Sequence, residues 1–271
     1  METQQTPVAF SGSIPQYYDS FLGTMYFEPY ALDLAKRINK ISPKNLLELA
    51  SGTGRLTKLL PGVTAKGASI IASDINPAMI NFGQSKVQDD KIKWQVVDAV
   101  SLPFDDSTFD CVVVQFGVMF YSDRIKSFRE AWRVLKPGGT FLFNCWDELK
   151  TNPLSFIADE ALHQFFPVDT PAFFSIPYSY YDEKIIRSDL QQAGFENTTV
   201  EVVKLTSYSK TAADAAKGLI QGTPTVTAIE ERDAKKLPLI LAHIDNEIAK
   251  QFGKESLKVP LQARIVSAIK K

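Results

Sequence analysis

The sequence predicts a doubly wound α/β fold, in which helices cover both faces of a mostly parallel sheet. Three observations predict it. Short apolar runs alternate with segments of helical spacing from Leu46 to Cys145. These runs are continuously apolar, which is typical of strands buried on both faces. Several of them end at an acidic residue or at a glycine turn, as strands do where such sheets bind ligands.

The elements up to Cys145 can be placed in chain order. The predicted strands are residues 46–49, 69–73, 92–97, 111–116 and 140–145. Helices are predicted where a cap or proline starts a segment of helical spacing and where glycine or proline ends it. The predicted starts are Pro29, the turn at Gly54 (with an end at Pro61-Gly62), Pro77 after the cap Asn76, and the cap Ser122.

Beyond Trp146 the alternation changes. The predicted elements are a helix at 183–193, a strand at 198–205, helices through 211–252 and a strand at 259–269. In the last of these, apolar and polar residues alternate as they do in a half-buried strand. Helices separate the last strand from the strand it is expected to pair with. This arrangement predicts a helical cap, residues 207–254, inserted before the last strand. The whole chain, residues 1–271, is predicted to be a single domain.

The composition excludes several classes of protein. The chain has 271 residues, 45% of them hydrophobic, and a formal net charge of -1. No basic run predicts nucleic-acid binding, and no apolar stretch approaches the ~18 residues of a membrane span. The first sixteen residues carry no Lys or Arg, and no secretory leader is expected. Cys111 and Cys145 are expected to be reduced and buried, as in a cytoplasmic protein.

Two glycines, Gly52 and Gly54, follow the strand at residues 46–49. Glycines at this place let a ligand approach the backbone, and a following helix offers unpaired N–H groups. Asp74 ends the next strand 20 residues later (74 − 54), where nucleotide folds place a carboxylate for ribose hydroxyls. A dinucleotide fingerprint needs a third glycine where Thr57 stands, and it has no use for Asp98 after the third strand. The pattern favours another adenosine-containing ligand over NAD.

Four motifs resemble those of the class I S-adenosylmethionine-dependent methyltransferases, in the small-molecule branch of the ubiquinone/menaquinone-biosynthesis C-methyltransferases. The motifs are LLELASGTGR, SDINPAMI, VVDAVSLPFDDSTFDCVVVQFGVMF and FREAWRVLKPGGTFLFNCWD. The resemblance is strong over residues 15–147, and in the rest of the chain it extends only to the order of the predicted helices and strands. It implies a Rossmann-like sheet of seven strands, S-adenosyl-L-methionine as cofactor, and methyl transfer by in-line displacement to a small, partly hydrophobic acceptor.

The resemblance also implies which residues bind the methionyl and ribose parts of the cofactor. Glu48 would face the methionyl ammonium group, and the backbone of Ala50, Gly52 and Gly54 would line that part. Asp74 would accept hydrogen bonds from both ribose hydroxyls. Ala50 departs from the family pattern, which usually has glycine there, and its methyl group is expected to crowd the methionine end slightly.

Other matching positions would bind the adenine and the reacting end. Ile75 and Met79 would pack on the adenine ring. Asp98 would bind the adenine amino group beside the Ala99 backbone, and Gln115 would border the transferred methyl group. Tyr18 matches a tyrosine that often closes over the cofactor, although it can equally be an aromatic side chain packed on the sheet edge.

Methyl transfer needs alignment and a dry site more than it needs a nucleophile or metal, because the cofactor carries the activated carbon. No metal site is predicted. His163 and His243 are weak candidates for a general base, which only an acceptor with a bound proton requires. The predicted acceptor contacts are Asn144, Trp146 and Asp147, with the aromatic run at 163–181 as a further wall or as ordinary packing.

Two functions in different classes remain open from the residues. One is a small-molecule methyltransferase that acts as a monomer or homodimer, without nucleic-acid or membrane partners. The other is a protein of the same fold that binds S-adenosylmethionine or S-adenosylhomocysteine without transferring a methyl group. Glu48, Asp74 and Asp98 favour cofactor binding under both.

Overall fold

A computed structural model describes residues 12–271. Within them one sheet has seven strands in the order β3-β2-β1-β4-β5-β7-β6. The strands are β1 (Asn45–Leu49), β2 (Ser69–Asp74), β3 (Ile92–Val96), β4 (Phe109–Gln115), β5 (Leu135–Trp146), β6 (Asn197–Thr211) and β7 (Glu255–Ile269). The first five pair in parallel, whereas β7 is antiparallel to both β5 and β6. The predicted doubly wound, mostly parallel fold is confirmed.

Helices pack on both faces of this sheet. They are α1 (Ile14–Tyr17), a π-helix (Tyr18–Phe27), α2 (Glu28–Ile41), α3 (Pro77–Lys86), α4 (Arg124–Val134), α5 (Pro153–Phe165), α6 (Glu183–Gln192), α7 (Ala212–Gln221), α8 (Thr225–Asp233) and α9 (Lys236–Phe252). Asn76 caps α3 as predicted, since its Oδ1 accepts a hydrogen bond from the Ala78 N–H at 2.9 Å. The cap of α4 is Asp123, one residue after the predicted Ser122.

The core lies between the helices and the sheet, and it includes residues of the antiparallel strand β7 as well as of the parallel strands. Residues 111–114 of β4 are fully buried, because both neighbours in the sheet and helices on both faces cover them. Cys111 in β4 and Cys145 in β5 are free thiols within this core, as predicted. The carboxyl ends of β1, β2 and β4 therefore stand on a rigid base.

The segment after the glycine turn differs from the prediction. A 3₁₀ helix, Thr57–Gly62, stands where an α-helix was expected. Gly52 and Gly54 both have positive φ values, which no α-helix contains, and Pro61 lacks the N–H that a longer helix would need. The glycine turn is therefore followed only by a short 3₁₀ helix, and contacts with adjacent elements, such as the hydrogen bond from the Gly52 N–H to Asp74, fix its position.

The last two strands are longer than predicted. β6 and β7 pair from Asn197↔Ile269 to Thr211↔Glu255. Residues 207–211 thus belong to β6, and the helices before β7 begin at Ala212 rather than at the predicted residue 207. Two predictions concern residues outside the described range. The predicted domain starts at residue 1, and most of the first sixteen residues, where no secretory leader is expected, precede residue 12.

Candidate functional site

The carboxyl end of β1 carries a buried carboxylate. Glu48 is fully buried, and Thr57 Oγ1 donates a hydrogen bond to its Oε2 at 2.6 Å. Its Oε1 is also buried and has no hydrogen-bond partner in residues 12–271. Burial raises the pKa of Glu48 to about 8; the Thr57 hydrogen bond opposes this shift and the charge of Asp74 adds to it. The unpaired Oε1 is suited to bind a cationic group.

The turn after β1 holds Ala50, Gly52 and Gly54 in the left-handed region, with φ values of 54°, 55° and 84°. A β-carbon built on Gly52 would meet no atom within 4 Å, so open space lies beside that backbone. A β-carbon on Gly54 would lie 3.2 Å from the Trp94 ring, and glycine is needed there for packing as well. The methyl group of Ala50 points toward Gly117 after β4, and this is where the extra carbon is accommodated.

Asp74 joins the end of β2 to the glycine turn. Its Oδ2 accepts a hydrogen bond from the Gly52 N–H at 2.9 Å, and its Oδ1 accepts one from the Asn76 N–H at 2.9 Å. Burial raises the pKa of Asp74, while these backbone hydrogen bonds oppose the shift. The carboxylate is thus fixed in position by two loops before any ligand binds.

The predicted adenine contacts surround the ends of β2 and β3. Ile75 is 56% exposed and Met79 is buried below it. Asp98 is exposed, and its Oδ1 accepts a hydrogen bond from the Val100 N–H at 3.0 Å. Ala99 is buried beside it. An exposed apolar side chain and an exposed carboxylate at the same edge of the sheet can meet the flat face and the polar edge of one ring.

Two tyrosines lie close to these carboxylates. Tyr18 of the π-helix stacks on Phe27 with ring centroids 4.8 Å apart, and burial, followed by the charge of Asp74, raises its pKa. Tyr121, after β4, was missed by sequence reasoning. Its hydroxyl is buried without a hydrogen-bond partner among the described residues, and burial and the charges of Asp74 and Asp98 raise its pKa. Its position just after β4 is the only sequence signal for it.

The end of β4 binds its own neighbours. Gln115 Nε2 donates to the Phe27 carbonyl at 2.8 Å, which anchors the end of the π-helix to the sheet. The Phe116 N–H donates to Asn144 Oδ1 at 2.8 Å, and the Asn144 Nδ2 is buried without a partner in the described chain. The Phe116 and Trp146 rings stack with centroids 3.7 Å apart.

Asp147, predicted to contact the acceptor, is engaged elsewhere. It is buried, and Gln262 Nε2 donates to it at 2.6 Å. Arg264 forms an ion pair with it at 3.2 Å. These bonds tie the end of β5 to β7, so the role that the structure gives Asp147 is to hold two strands together.

Ion pairs hold the π-helix onto the glycine turn. Asp19 is buried and pairs with Arg55 at 2.8 Å and also with Lys86. Glu28 pairs with Arg55 at 3.3 Å and with Lys58 at 2.8 Å. Arg55 follows Gly54 directly, so the segment that contains Tyr18 is tied to the turn that would carry the ligand.

An aromatic cavity of about 70 Å³ is lined by residues of the π-helix, the ends of β4 and β5, α5 and α7. Its walls are mostly aromatic, and hydroxyl groups are the main polar contribution from the side chains. The lining residues are Tyr18, Leu22, Tyr26, Phe27, Phe116, Phe120, Trp146, Ser155, Phe173, Phe174, Pro177, Tyr178, Leu219 and Thr223. Of the three predicted acceptor contacts, only Trp146 is among them, and part of the aromatic run at 163–181 forms a wall.

Neither histidine lies in this lining. His163 is on the surface of α5, where its ring nitrogens are 3.7 Å from Asp159 and 3.2 Å from Thr170 Oγ1. His243 on α9 packs edge-on against Phe165 at 5.7 Å. Both rings contact residues outside the cavity, and we give neither a catalytic role.

Comparison with known proteins decides the family. The model of the ubiE/COQ5 methyltransferase family matches residues 9–206. The chain belongs to the ubiE/COQ5 methyltransferase family. Similar proteins include the ubiquinone/menaquinone biosynthesis C-methyltransferases UbiE of Yersinia enterocolitica and Citrobacter koseri. The first is 32% identical over 170 residues, 58% of this chain and 68% of that protein; the second is 32% identical over 181 residues, 60% and 72%.

Solved structures share the fold of this family member. A SAM-dependent methyltransferase of Thermotoga maritima has a TM-score of 0.56 at 16% identity, covering 97% of this chain and 98% of that one. Phosphoethanolamine N-methyltransferase 2 of Haemonchus contortus, bound to S-adenosylhomocysteine, has a TM-score of 0.58 at 15% identity, covering 94% and 56%. The predicted enzyme class, an S-adenosylmethionine-dependent methyltransferase, and its cofactor are confirmed.

Residues 12–271 contain neither a candidate membrane span nor a candidate metal-binding cluster. No helix there is both long enough and apolar enough to cross a membrane. No group of three or more His, Cys, Asp or Glu side chains in that range is arranged to hold a metal ion.

Proposed function

We propose that this methyltransferase acts on a small, partly hydrophobic acceptor that binds in the aromatic cavity. The observation that carries the proposal is the lining of that cavity, in which rings predominate and no carboxylate, ammonium, guanidinium or imidazole group takes part. Such walls favour apolar and aromatic ligands and disfavour charged ones, which would lose hydration without gaining a partner. The relatives named for ubiquinone and menaquinone biosynthesis are consistent with an acceptor of this kind.

The residues at the carboxyl end of the sheet fit S-adenosylmethionine. The unpaired Oε1 of Glu48 offers a partner for the methionyl ammonium group, and the open side of Gly52 offers room for the methionyl chain. Asp74 would bind the ribose hydroxyls. Ile75 and Met79 would pack on the adenine, and the exposed Asp98 would bind its amino group.

The cofactor, when bound, supplies a methyl group already activated by a sulfonium. This chain supplies alignment and exclusion of water. Asn144 holds the backbone just after β4, Gln115 ties the end of β4 to the π-helix, and Phe116 and Trp146 present a flat apolar wall. Burial raises the pKa of Tyr26 and Tyr178, so these phenols remain protonated and cannot serve as bases. Transfer here would depend on proximity to an acceptor atom that is already nucleophilic.

The cavity is smaller than the ~150 Å³ that holds a benzene ring in an apolar protein cavity. An acceptor with a ring therefore requires its walls to move. Leu219 and Thr223 belong to the helical segment between β6 and β7, and we propose that this segment opens as a cap.

A screen with labelled S-adenosylmethionine tests the transfer, beginning with acceptors of ubiquinone and menaquinone biosynthesis. Label should pass to a neutral ring compound rather than to an amine or a phosphate ester. Cofactor binding without transfer to any of these acceptors would favour the alternative, a binding protein of the same fold.

Calorimetry with S-adenosylhomocysteine tests the cofactor residues. Asp74→Ala and Asp98→Ala should each cost about 1.5–3 kcal/mol, a tenfold to hundredfold loss of affinity, because each removes a hydrogen bond to a charged group. Asp98→Ala is the cleaner variant, since Asp74 also holds the glycine turn. Wild-type affinity in Asp98→Ala would contradict the adenine assignment.

A further inference from the structure

Three hydroxyl groups meet at one wall of the aromatic cavity. Tyr26 lies on the π-helix, Ser155 on α5 and Tyr178 in the loop before α6. The Tyr26 hydroxyl and Ser155 Oγ are 2.8 Å apart, and the Tyr178 hydroxyl donates to Ser155 Oγ at 2.7 Å. All three residues are more than nine-tenths buried, and all three line the cavity.

The hydrogen atoms of this group can be counted. Three hydroxyls carry three hydrogens, and the two hydrogen bonds to Ser155 use two of them. With Tyr178 donating to Ser155, the third hydrogen belongs either to Tyr26 or to Ser155, depending on which of these two donates to the other. In both arrangements one hydrogen is left over from the two bonds to Ser155, and it can be donated to a ligand or, from Tyr26, toward the Tyr178 hydroxyl, with which it interacts.

We propose that the Tyr26–Ser155–Tyr178 hydroxyl group binds an oxygen atom of the acceptor and thereby selects oxygen-bearing rings over plain hydrocarbons. This inference rests on the proposed function, because it places the acceptor in the same cavity. A buried donor without a partner is costly in surroundings that are otherwise apolar. A hydroxyl or carbonyl oxygen of a neutral ligand satisfies it, whereas a methyl group at the same place does not.

The charge state of the group supports a donor role. Burial raises the pKa of Tyr26 and of Tyr178, so neither loses its proton at physiological pH. The phenols also lie close enough to affect each other's ionisation. The group therefore acts by positioning the ligand and fixing its orientation, and it does not remove a proton from it.

The test compares phenol with toluene, which differ only in a hydroxyl against a methyl group. The two dissociation constants are measured by NMR titration in the presence of S-adenosylhomocysteine. The decisive variant, Tyr26→Phe/Ser155→Ala/Tyr178→Phe, has no hydroxyl in the group. It should lose about threefold to tenfold in affinity for phenol relative to toluene, the worth of one neutral hydrogen bond. A purely structural role would weaken both ligands alike and leave their ratio unchanged.

Tyr180→Phe is the matched control. Tyr180 is as buried as the others and donates to Asp189 at 2.9 Å, but it does not line the cavity. Removing the Tyr180 hydroxyl should leave the ratio of the two dissociation constants, for phenol and for toluene, within twofold of wild type. If the triple variant does not fold, Tyr26→Phe/Tyr178→Phe, which keeps only the Ser155 hydroxyl, should give an intermediate loss.

The outcomes separate the two proposals. If a variant lacking the phenols folds, binds S-adenosylhomocysteine and keeps the wild-type ratio, the hydroxyl group does not select the acceptor. If the wild type itself does not bind S-adenosylhomocysteine, the proposed function fails first.

Discussion

The methyl group of Ala50 faces the α-carbon of Gly117. A β-carbon built on Gly117 would lie 2.5 Å from Ala50 Cβ and 2.9 Å from Val114 Cγ1, both far inside contact distance. Glycine after β4 therefore leaves the room that alanine needs in the turn after β1. The residue that fits at position 117 therefore depends on whether position 50 carries a β-carbon, although the two positions are far apart in the sequence.

Gly117→Ala should destabilise the protein by about 1–3 kcal/mol, because the added carbon overfills a packed site. Adding Ala50→Gly should restore part of this loss. Urea unfolding of the two single variants and the double variant gives the coupling free energy, which we expect to exceed about 0.5 kcal/mol. Gly62→Ala is the control, since a β-carbon there meets nothing within 4 Å. Simple additivity would contradict the contact.

Glu48 should make stability depend on pH. Its folded pKa, about 8, is raised from the ordinary value of 4.5, so the folded state holds the proton more tightly. The contribution of this group to stability is full below the unfolded pKa and is lost as pH rises through 8, at up to about 1.4 kcal/mol per pH unit. Glu48→Gln removes this loss.

The free energies of unfolding at pH 6 and pH 9 provide the measurement. The stability of Glu48→Gln relative to wild type should increase between the two pH values. Glu230→Gln, at an exposed position, should show no such change. A constant difference between wild type and Glu48→Gln would mean that the carboxyl is already ionised at pH 6.

Binding of S-adenosylhomocysteine should release a proton near pH 7. The free protein holds Glu48 largely protonated, and a methionyl ammonium group beside Oε1 favours the carboxylate. Calorimetry in two buffers of different ionisation enthalpy measures the release, up to one proton per site. It should vanish above about pH 9 and in Glu48→Gln at every pH. Equal proton release in that variant would assign the titration to another group.

Limited proteolysis should cut first in the proposed cap. The connections around Gly222, between α7 and α8, and around Gly253, before β7, are the expected sites. Cofactor and product together should slow cleavage there, since the closed cap covers the cavity. The connection between α3 and β3 is an internal reference that should be cut equally with and without ligand. Uniform cleavage along the chain would argue against a separate cap.

The candidate cofactor contacts could be proposed from the sequence because each residue stands where the local pattern changes. Glu48 lies one residue before the end of its apolar run, Asp74 and Asp98 stand at or just after the ends of theirs, and parallel strands bring those ends to one edge. The strand and helix order up to Cys145 followed from the same alternation. The turn after Gly54 was misjudged because two positive φ values are compatible with glycine but are not dictated by it.

The candidate acceptor cavity was not predictable from the sequence, because only tertiary packing brings its lining residues together. Tyr26 and Ser155 are 129 residues apart in the chain, and neither stands in a recognisable motif. Helix α5 could have been found, since apolar residues recur at helical spacing along it. Even so, its presence would not have revealed that Ser155 faces two phenols from other elements.

The cavity draws most of its walls from parts of the chain that carry none of the candidate cofactor contacts except Tyr18. All its lining residues except Phe116 and Phe120 lie before residue 28 or after residue 145, whereas the candidate cofactor contacts other than Tyr18 lie between Glu48 and Tyr121. Recombination near Trp146 would therefore exchange much of the proposed acceptor cavity in one event and leave most of the candidate cofactor contacts unchanged. A change of acceptor is therefore compatible with an unchanged set of candidate contacts to the methyl donor.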